Sequence, residues 1–329
     1  MKTKNNNILI TGGNGFIGSH LVEFFVKKNY NVISFDRYNI HNSHGWLENS
    51  RYKKKIKFIL GDIRDYDSVY KAIKGCKSVI HLAALIGIPY SYVSPSAYLK
   101  TNVEGTYNVL EASKNLNIKN IITTSTSEVY GTAYKHKLSE NDLVNAQSPY
   151  AASKIAADQL AISYNLSFNL PVKIIRPFNT FGPRQSFRAV IPTIISQILS
   201  KNKIKIGNID ATRDFTYVED LCNAFYKIHK SQKCVGEILN VGMGKEISIR
   251  DLINKINFIT SNNIKIKIEK KRLRPKKSEV NRLRCNNSKI KKLINWENEY
   301  NFETGLIKTV EWFSNEENLA PYTNNNYNI

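Results

Sequence analysis

The sequence predicts an α/β fold, a doubly wound parallel sheet with a smaller α/β cap. The first half of the chain alternates short apolar runs with amphipathic helical segments, which is typical of strand–helix–strand units around a parallel sheet. A glycine-rich turn joins the first apolar run to the first helical segment. Hydrophobic residues make up 42% of the 329 residues, enough to bury a sizeable core under such a sheet.

Each element of the first half follows from its local pattern. Short runs of apolar and β-branched residues predict strands, and apolar residues at three- and four-residue spacing predict helices. Residues 39–55 form an irregular, basic interruption. The predicted strands are 7–11, 31–36, 56–60, 78–82, 121–125 and 172–176, and the predicted helices are 16–28, 68–75, 102–115 and 147–166.

The regular alternation ends at Pro177. Further prolines at 183, 192 and 275, with mixed short elements between them, predict a smaller, interleaved second domain. A helix-then-strand pattern over 215–241 predicts that the chain returns to the first domain there. We therefore predict one domain from residues 1–176 plus about 214–244, a second from about 177–213 plus 245–314, and a frayed polar tail over 315–329.

The formal net charge of +21 is the most unusual feature of the composition. Lysines are spread along the whole chain and form no basic stripe with interleaved aromatic residues, so solvated surface faces are favoured over a nucleic-acid site. Attraction of small anionic substrates is a second interpretation of the charge. We predict no nucleic-acid partner and no membrane partner.

Compartment and metal content are predicted from what the sequence lacks. No apolar run approaches the ~18 residues of a membrane span, and the apolar stretch Ile8–Ile10 is too short for the core of a signal peptide. The four cysteines lack the paired spacing of a zinc site or a disulfide framework. We expect a cytoplasmic protein with reduced thiols and no bound metal.

The turn after the first strand has the glycine spacing G-x-x-G-x-x-G, at Gly12, Gly15 and Gly18. Glycines let a pyrophosphate approach the backbone, and the unpaired N–H groups at the start of the following helix bind its negative charge. Asp36 ends the next strand, close to the ~20-residue offset at which a carboxylate binds the adenosine ribose. The motif and its carboxylate predict a dinucleotide site.

Asp36 favours NAD, because its charge would repel the 2′-phosphate of NADP. Arg37, which could pair with that phosphate, is the opposing signal. Asp62 and Ile63 follow the third strand and are placed to contact the adenine, although Asp62 could serve only as a turn carboxylate. The other predicted cofactor contacts are Phe16, Ile17, Leu82, Ala83 and Ala84.

Tyr150 and Lys154 lie four residues apart at the start of a predicted helix, so both face the same way. A lysine ammonium lowers the pKa of a neighbouring tyrosine, and the phenolate can then act as a general base in alcohol oxidation. The segment Ser125–Gly131 ends a strand and places hydroxyl groups beside the same site. The predicted catalytic residues are Thr126, Ser127, Glu128, Tyr150 and Lys154.

These motifs together resemble the extended short-chain dehydrogenase/reductases, specifically the sugar-nucleotide epimerase/dehydratase family, from Asn7 to about Ser314. The resemblance implies a Rossmann domain that binds NAD and a smaller domain that binds a nucleotide sugar. It implies that Thr126 hydrogen-bonds the sugar 4-hydroxyl, that Tyr150 takes its proton and that Lys154 binds the nicotinamide ribose. A hydride then passes from C4 to NAD and leaves a 4-keto sugar.

Glu128 favours one of three outcomes known for relatives, which are 4-epimerisation, C6 decarboxylation and 4,6-dehydration. By resemblance, 4,6-dehydratases hold their C5 base two positions after the threonine, whereas simple epimerases need no base there. Ser127 departs from the Thr-Asp-Glu of nucleotide-glucose dehydratases, and UDP-glucuronate decarboxylases also read Thr-Ser-Glu. We hypothesise that Glu128 carries the C5 proton to the C6 oxygen while Ser127 orients it.

Wider segments separate the dehydratase from the decarboxylase. Residues 81–92 contain no cation that could hold a C6 carboxylate. Residues 176–186 and 272–275 resemble the nucleotide-linked N-acetylglucosamine 4,6-dehydratases of legionaminic-acid-type pathways. We therefore predict a UDP- or GDP-N-acetylglucosamine 4,6-dehydratase of surface glycan or nonulosonic acid biosynthesis. A UDP-glucuronate decarboxylase, a 4-epimerase and a non-catalytic NAD-binding regulator are the alternatives.

The resemblance also implies a diphosphate site and a dimer. Asn179, Arg213 and Arg274 would bind the diphosphate. Arg184 and Arg188 are weaker candidates, and for each a solvated surface position is at least as good an interpretation. Nothing in the sequence separates uracil from guanine. Relatives usually form homodimers through two helices of each subunit, here 94–117 and 147–166.

Overall fold

A computed structural model describes residues 6–134, 137–200, 203–262 and 264–319. The strands are β1 (Asn7–Thr11), β2 (Asn31–Arg37), β3 (Ile56–Gly61), β4 (Ser78–His81), β5 (Ile121–Thr124), β6 (Val172–Pro177), β7 (Asn179–Phe181), β8 (Lys203–Ile206), β9 (Thr212–Arg213), β10 (Phe215–Tyr217), β11 (Ile238–Val241), β12 (Ile247–Ser248) and β13 (Lys265–Ile268). The helices are α1 (Phe16–Lys27), α2 (Tyr66–Ile73), α3 (Ile88–Val93), α4 (Pro95–Tyr98), α5 (Gly105–Asn115), α6 (Pro149–Phe168), α7 (Val190–Ser200), α8 (Val218–Lys230), α9 (Ile249–Ile259), α10 (Ser288–Ile294), α11 (Phe302–Ser314) and α12 (Glu316–Leu319).

Seven strands form the central sheet, in the order β11-β6-β5-β4-β1-β2-β3, and every neighbouring pair is parallel. The chain proceeds from β1 towards β3 in one direction and from β4 towards β11 in the other. The strand order therefore reverses between β1 and β4, and ligands of doubly wound sheets bind at the carboxyl ends of strands at such a point. The predicted doubly wound parallel sheet is confirmed.

Apolar side chains cover both faces of this sheet, because successive strand residues point to opposite sides. Ile8 and Ile10 of β1 pack in one core with residues of α1, α7 and α8. Leu9, between them, packs in a second core with residues of α2, α5 and α6. Strands buried on both faces read as continuous apolar runs, which is why the sequence pattern located them so closely.

Smaller sheets lie outside the central one. Within the described residues, β7 pairs with β10 and β8 with β13 in parallel, and β9 pairs with β12 antiparallel. β11 then returns to the edge of the central sheet beside β6, as expected from the pattern over 215–241. The division into two domains stays a prediction, which the return of β11 supports.

Two of the differences between the structure and the sequence expectation have a local structural cause. Helix α5 begins at Gly105 rather than at residue 102, because a π-helical segment, Leu99–Glu104, precedes it. In the expected tail, α12 forms because the Asn315 carboxamide accepts a hydrogen bond from the Glu317 amide at 2.9 Å and Leu319 packs on the core. Residues 320–329 of that tail lie outside the described residues.

Within the described ranges, no helix combines the length and the apolar character that crossing a bilayer requires.

Candidate active site

The glycine-rich turn lies against the start of the loop that follows β4. Gly12 has a φ of +73°, and a Cβ there would lie 2.9 Å from the Ala83 amide nitrogen. A Cβ on Gly18 would lie 2.0 Å from the Gly12 carbonyl oxygen. Helix α1 begins after Gly15, which offers no side chain to cap its first amides. The turn is therefore shaped for a close backbone approach, and its uncapped amides fit a dinucleotide pyrophosphate.

Asp36 lies at the carboxyl end of β2 and faces the same turn. Its carboxylate accepts hydrogen bonds from the Asn14 amide at 2.9 Å and from the Ser34 hydroxyl. Burial raises the pKa of Asp36, while these two hydrogen bonds oppose the rise. A carboxylate held here suits the adenosine ribose. Arg37, in contrast, is exposed.

The adenine end of the predicted cofactor site is formed after β3. Arg64 donates to the Asp62 carboxylate at 2.9 Å through Nε, and this hydrogen bond lowers the pKa of Asp62. Ile63 is buried, and its carbonyl accepts from the Asn108 carboxamide at 3.1 Å. The loop is fixed by these contacts, and the predicted adenine contacts of Asp62 and Ile63 stay predictions.

The loop after β4 is fixed by Thr11, the last residue of β1. The Thr11 hydroxyl accepts from the amides of Leu82 and Ala83 at 3.2 and 3.1 Å and is hydrogen-bonded to His81 Nδ1 at 2.8 Å. His81 Nε2 contacts the Thr106 hydroxyl at 3.1 Å. Burial lowers the pKa of His81 to about 3. A neutral His81 thus ties β1, β4 and α5 together and has a structural role.

Asn102, a residue that the sequence analysis missed, fixes the same loop from the other side. Its carboxamide accepts from the Leu85 amide at 2.8 Å and donates to the Leu85 carbonyl at 3.0 Å and to the Ser153 hydroxyl at 3.0 Å. Asn102 therefore links the loop to the helix that carries Tyr150. The available signal was a polar residue within an expected helix, but asparagine is too common in this chain to single it out.

Tyr150 and Lys154 lie in the first turns of α6. The Ser148 hydroxyl caps this helix by accepting from the Ala151 amide at 3.1 Å, and Pro149 occupies its first position. Lys154 Nζ donates a hydrogen bond to the carbonyl oxygen of Thr124, the last residue of β5. The expected four-residue arrangement thus places both side chains beside the end of β5.

The Thr126–Glu128 triplet lies directly next to Tyr150. Residues Ser127–Tyr130 form a 3-10 turn that Thr126 caps by accepting from the Glu128 amide at 3.2 Å. The Thr126 side chain also hydrogen-bonds the Tyr150 hydroxyl, and the Glu128 charge acts on the same hydroxyl. The structure therefore brings together Thr126, Glu128 and Tyr150. Ser127, which lies between Thr126 and Glu128 in sequence, is buried.

Burial shifts the ionisation of Tyr150 and Lys154 in opposite directions. It raises the pKa of Tyr150, against the lowering effect of the Thr126 hydrogen bond, and it lowers the pKa of Lys154 to about 8. At neutral pH the lysine is therefore mainly cationic and the tyrosine protonated. A nearby ammonium favours the phenolate when the tyrosine loses its proton.

A buried polar network lies behind this pair. Asp158, one turn after Lys154, accepts from the Ser125 hydroxyl at 2.8 Å and from Arg176 Nε at 3.0 Å. Arg176 also donates to the Tyr130 hydroxyl at 2.9 Å, which donates to the Asn240 carboxamide at 2.8 Å. Arg176 and Tyr130 thus hold the end of β5 and α6 in place.

The two arginines expected to bind a diphosphate lie together. Arg213 is buried, and its guanidinium lies 3.3 Å from the Glu279 carboxylate. Arg274 lies 3.6 Å from the same carboxylate oxygen. The Glu128 charge also acts on Arg213. Glu279, which the sequence analysis missed, therefore joins the arginine pair, and the pair lies near the predicted C5 base.

Asn179 and Arg184 have different surroundings. The Asn179 carboxamide oxygen is buried and accepts no hydrogen bond from the described residues, and its predicted diphosphate contact stays a prediction. Arg184 has a φ of +69°, and its guanidinium lies 3.2 Å from the Glu23 carboxylate of α1. This ion pair gives Arg184 a structural partner, and its predicted substrate contact stays a prediction.

Arg188 changes the sequence argument against a decarboxylase. A Cβ on Gly87 would lie 3.7 Å from Arg188 Cδ and 3.6 Å from the Tyr98 hydroxyl oxygen. The buried Tyr98 ring packs edge-on against Tyr150, with centroids 6.1 Å apart. Residues 81–92 do lack a cation, but folding brings Arg188 to this loop from a distant segment. The absence of a cation within residues 81–92 therefore does not by itself distinguish a dehydratase from a decarboxylase.

Taken together, these groups can hold a dinucleotide and remove a proton from an alcohol. They also present a second carboxylate, Glu128, and two cations for an anionic ligand. Within the described residues, no group of three or more histidine, cysteine, aspartate or glutamate side chains is placed to hold a metal ion.

Comparisons with known proteins cover nearly the whole chain. The model of the family described as GDP-mannose 4,6 dehydratase matches residues 9–309. A UDP-glucuronate 4-epimerase of Thermodesulfobacterium geofontis is 32% identical over 313 residues, which are 92% of this chain and 95% of that protein. A UDP-N-acetyl-alpha-D-glucosaminuronate decarboxylase of Bacillus cytotoxicus is 32% identical over 325 residues, which are 94% of this chain and 98% of that protein.

A solved structure adds a third reaction. The crystal structure of dTDP-glucose 4,6-dehydratase from Bacillus anthracis in complex with NAD has a TM-score of 0.84 and 30% identity, and the match covers 94% of this chain and 97% of that chain. These relatives catalyse different reactions on nucleotide sugars, so the comparisons define a family and leave the reaction open. The chain belongs to the GDP-mannose 4,6 dehydratase family, a group of extended short-chain dehydrogenase/reductases that contains nucleotide-sugar dehydratases, epimerases and decarboxylases.

Proposed function

We propose that this protein is an NAD-dependent nucleotide-sugar 4,6-dehydratase that converts UDP- or GDP-N-acetylglucosamine into a 6-deoxy-4-keto sugar, in surface glycan or legionaminic-acid-type nonulosonic acid biosynthesis. The position of the Glu128 carboxylate carries the proposal. It lies in the turn capped by Thr126, and its charge acts on both Tyr150 and Arg213. A base placed there can reach a sugar whose 4-hydroxyl is at Tyr150.

The residues present fit NAD. Gly12 and Gly18 let the turn pack closely on its own backbone and on Ala83, and the first amides of α1 lack a side-chain cap and suit the pyrophosphate. Asp36 suits the adenosine ribose, and Lys154 would bind the nicotinamide ribose. When bound, NAD supplies a reversible hydride acceptor for C4 of the sugar. The protein supplies the binding surface, the orientation and the proton transfers.

Proton transfer begins at the sugar 4-hydroxyl. Thr126 hydrogen-bonds this group, Tyr150 accepts its proton, and the Lys154 ammonium stabilises the phenolate as it forms. Oxidation at C4 makes the neighbouring C5 proton acidic, because the carbanion is conjugated with the new ketone. Thr126 and Tyr150 therefore prepare the sugar for the step at Glu128.

Dehydration then requires a proton to move from C5 to the C6 oxygen. Glu128 removes the C5 proton, the electron pair forms the C5–C6 double bond, and the C6 hydroxyl leaves as water with the proton that Glu128 returns. A serine hydroxyl is too weak an acid to protonate a leaving group, so Ser127 orients Glu128. One carboxylate therefore acts first as base and then as acid. The hydride removed from C4 would then return to C6 while C5 takes up a solvent proton, which gives the 6-deoxy-4-keto sugar with no net consumption of NAD.

A uronate-directed reaction is the second candidate, and Arg188 favours it. A guanidinium at the loop after β4 could hold a C6 carboxylate, which either a decarboxylase or a uronate 4-epimerase would need. The Bacillus cytotoxicus and Thermodesulfobacterium geofontis relatives are named for these two reactions. Glu128 supports dehydration over 4-epimerisation, because a simple 4-epimerase needs no base at C5. It does not separate a dehydratase from a UDP-glucuronate decarboxylase, which carries the same Thr-Ser-Glu triplet.

Mass spectrometry after incubation with UDP- and GDP-linked N-acetylglucosamine, glucose and UDP-glucuronate separates these reactions. A 4,6-dehydratase is expected to lower the mass of a nucleotide-linked N-acetylglucosamine by one water. Loss of carbon dioxide from the glucuronate would overturn the proposal in favour of a decarboxylase. An unchanged mass with a new chromatographic isomer identifies an epimerase, and no change with any sugar is expected of a non-catalytic regulator.

The predicted homodimer has support from exposed apolar side chains. Tyr107 of α5 is 44% exposed, and Leu166 and Phe168 of α6 are 75% and 52% exposed. These two helices carry the surface through which relatives associate, and burying such side chains favours association. Light scattering coupled to gel filtration tests the dimer, and cell fractionation tests the predicted cytoplasmic location.

A further inference from the structure

Gln147, which immediately precedes the N-cap of α6, is hydrogen-bonded to two segments that are distant in sequence. Its carboxamide oxygen accepts from the Thr132 amide at 2.7 Å and the Thr132 hydroxyl at 3.1 Å. Its carboxamide nitrogen donates to the Lys277 carbonyl at 3.1 Å and the Glu279 carbonyl at 3.4 Å. One side chain thus joins the segment after the catalytic triplet to the segment that contains Glu279.

Further contacts fasten the 277–281 segment to the same place. The Ser278 hydroxyl donates to the Gln147 backbone carbonyl and is hydrogen-bonded to the Tyr92 hydroxyl at 2.6 Å. The Asn281 amide donates to the Thr132 hydroxyl at 3.2 Å. The segment is therefore held at four residues, 277, 278, 279 and 281, and a shift in its backbone must act on Gln147.

The same segment is linked to the arginine pair through the Glu279 side chain. Arg213 and Arg274 both contact its carboxylate, at 3.3 and 3.6 Å. A diphosphate that binds these arginines competes with this carboxylate for the same cations. Diphosphate binding therefore changes how strongly the two arginines hold the Glu279 side chain, and so acts on the Glu279 backbone. The carbonyl of that backbone accepts a hydrogen bond from the Gln147 carboxamide.

We propose that Gln147 is a positioning residue that couples diphosphate binding at Arg213 and Arg274 to the placement of Tyr150, an inference that rests on the proposed function. Only Ser148 and Pro149 separate Gln147 from Tyr150, and proline fixes its own φ. The connection is therefore short and stiff. It lets binding energy from the nucleotide, remote from the reacting carbon, fix the general base.

Gln147→Glu removes the hydrogen bonds to the carbonyls of Lys277 and Glu279 and keeps those from Thr132. The variant keeps an oxygen for the two Thr132 donors but places a second oxygen against the carbonyls of Lys277 and Glu279, where a donor is needed. Gln147→Ala removes both sets of bonds and serves as a second variant. Lys277→Ala is the matched control, because it leaves the backbone carbonyl of residue 277 in place.

Hydrogen–deuterium exchange of the NAD-loaded full chain, with and without saturating UDP, GDP or dTDP, tests the coupling. In the wild type and in Lys277→Ala, a bound diphosphate is expected to slow exchange in the first turns of α6 by roughly threefold or more. Both Gln147 variants are expected to lose this slowing, while the Kd for the diphosphate changes by less than about threefold. On the nucleotide sugar, Gln147→Glu is expected to lower kcat by about tenfold with little change in KM.

The outcomes separate the two proposals. Slowing that persists in Gln147→Glu, or a wild type that binds a diphosphate without any slowing at α6, overturns the coupling and leaves the proposed function standing. If none of the three diphosphates binds the wild type, the nucleotide-sugar site itself is wrong, and the coupling is overturned with it.

Discussion

The Asp158 carboxylate and the Arg176 guanidinium form a buried ion pair, with Oδ2 3.0 Å from both Nε and Nη2. Both side chains are only 3% exposed. Asp158 lies one turn beyond Lys154 on α6, and Arg176 lies on β6. The pair therefore fixes α6 to the central sheet.

Asp158→Asn is expected to destabilise the fold by about 3 kcal/mol, because it leaves the buried Arg176 cation without its counter-charge. Urea unfolding at pH 7 measures the loss. Asp210→Asn removes a charge from an exposed ion pair with Arg250 and is expected to change the free energy of unfolding far less. Equal effects of the two substitutions would show that burial of the Asp158 pair does not matter.

Lys154 makes a pH-dependent contribution to stability. Burial lowers its pKa to about 8, from 10.5 in the unfolded chain. Below pH 8 the lysine is charged in both states and its burial is fully unfavourable. Between pH 8 and 10.5 the unfolded state binds more protons than the folded state, so stability rises with pH.

Lys154→Met removes this dependence. The variant is therefore expected to exceed the wild type in free energy of unfolding by the largest amount near pH 7. This excess is expected to shrink as the pH rises towards 10. Urea unfolding of both proteins across this range measures it. A difference that stays constant with pH would contradict the assigned burial of the cation.

Arg274→Ala is expected to raise KM for the nucleotide sugar by roughly tenfold, because it removes a diphosphate contact, and to lower kcat as well, because that contact also acts on Tyr150 through Glu279 and Gln147. Arg184→Ala is the matched control. Its guanidinium is paired with Glu23, so its removal is expected to leave KM within about twofold. A larger effect at Arg184 would identify it as the diphosphate ligand.

The sequence predicted those parts of the site whose residues are close in the chain. The strands of the central sheet are continuous apolar runs, and Tyr150 and Lys154 share one helix face, so local spacing is sufficient. The glycine turn could also be predicted from the sequence, because its strand and its helix flank it directly.

Contacts between distant segments could not be predicted in this way. Glu279 is 66 positions from Arg213 in sequence and yet lies against it. Asn102 and Gln147 carry no local pattern that distinguishes them from other polar residues. Their roles depend on which loops the folded sheet brings together, and spacing along one segment does not contain that information.

The proposed dehydration depends on Glu128 as the base that removes the C5 proton. Turnover of the nucleotide-linked N-acetylglucosamine in deuterium oxide tests it most directly, with deuterium at C5 measured by NMR and oxidation at C4 followed by the absorbance of reduced NAD. The wild-type product is expected to carry deuterium at C5, whereas Glu128→Gln is expected to oxidise C4 without exchange at C5. Exchange at C5 that persists in Glu128→Gln would contradict the account.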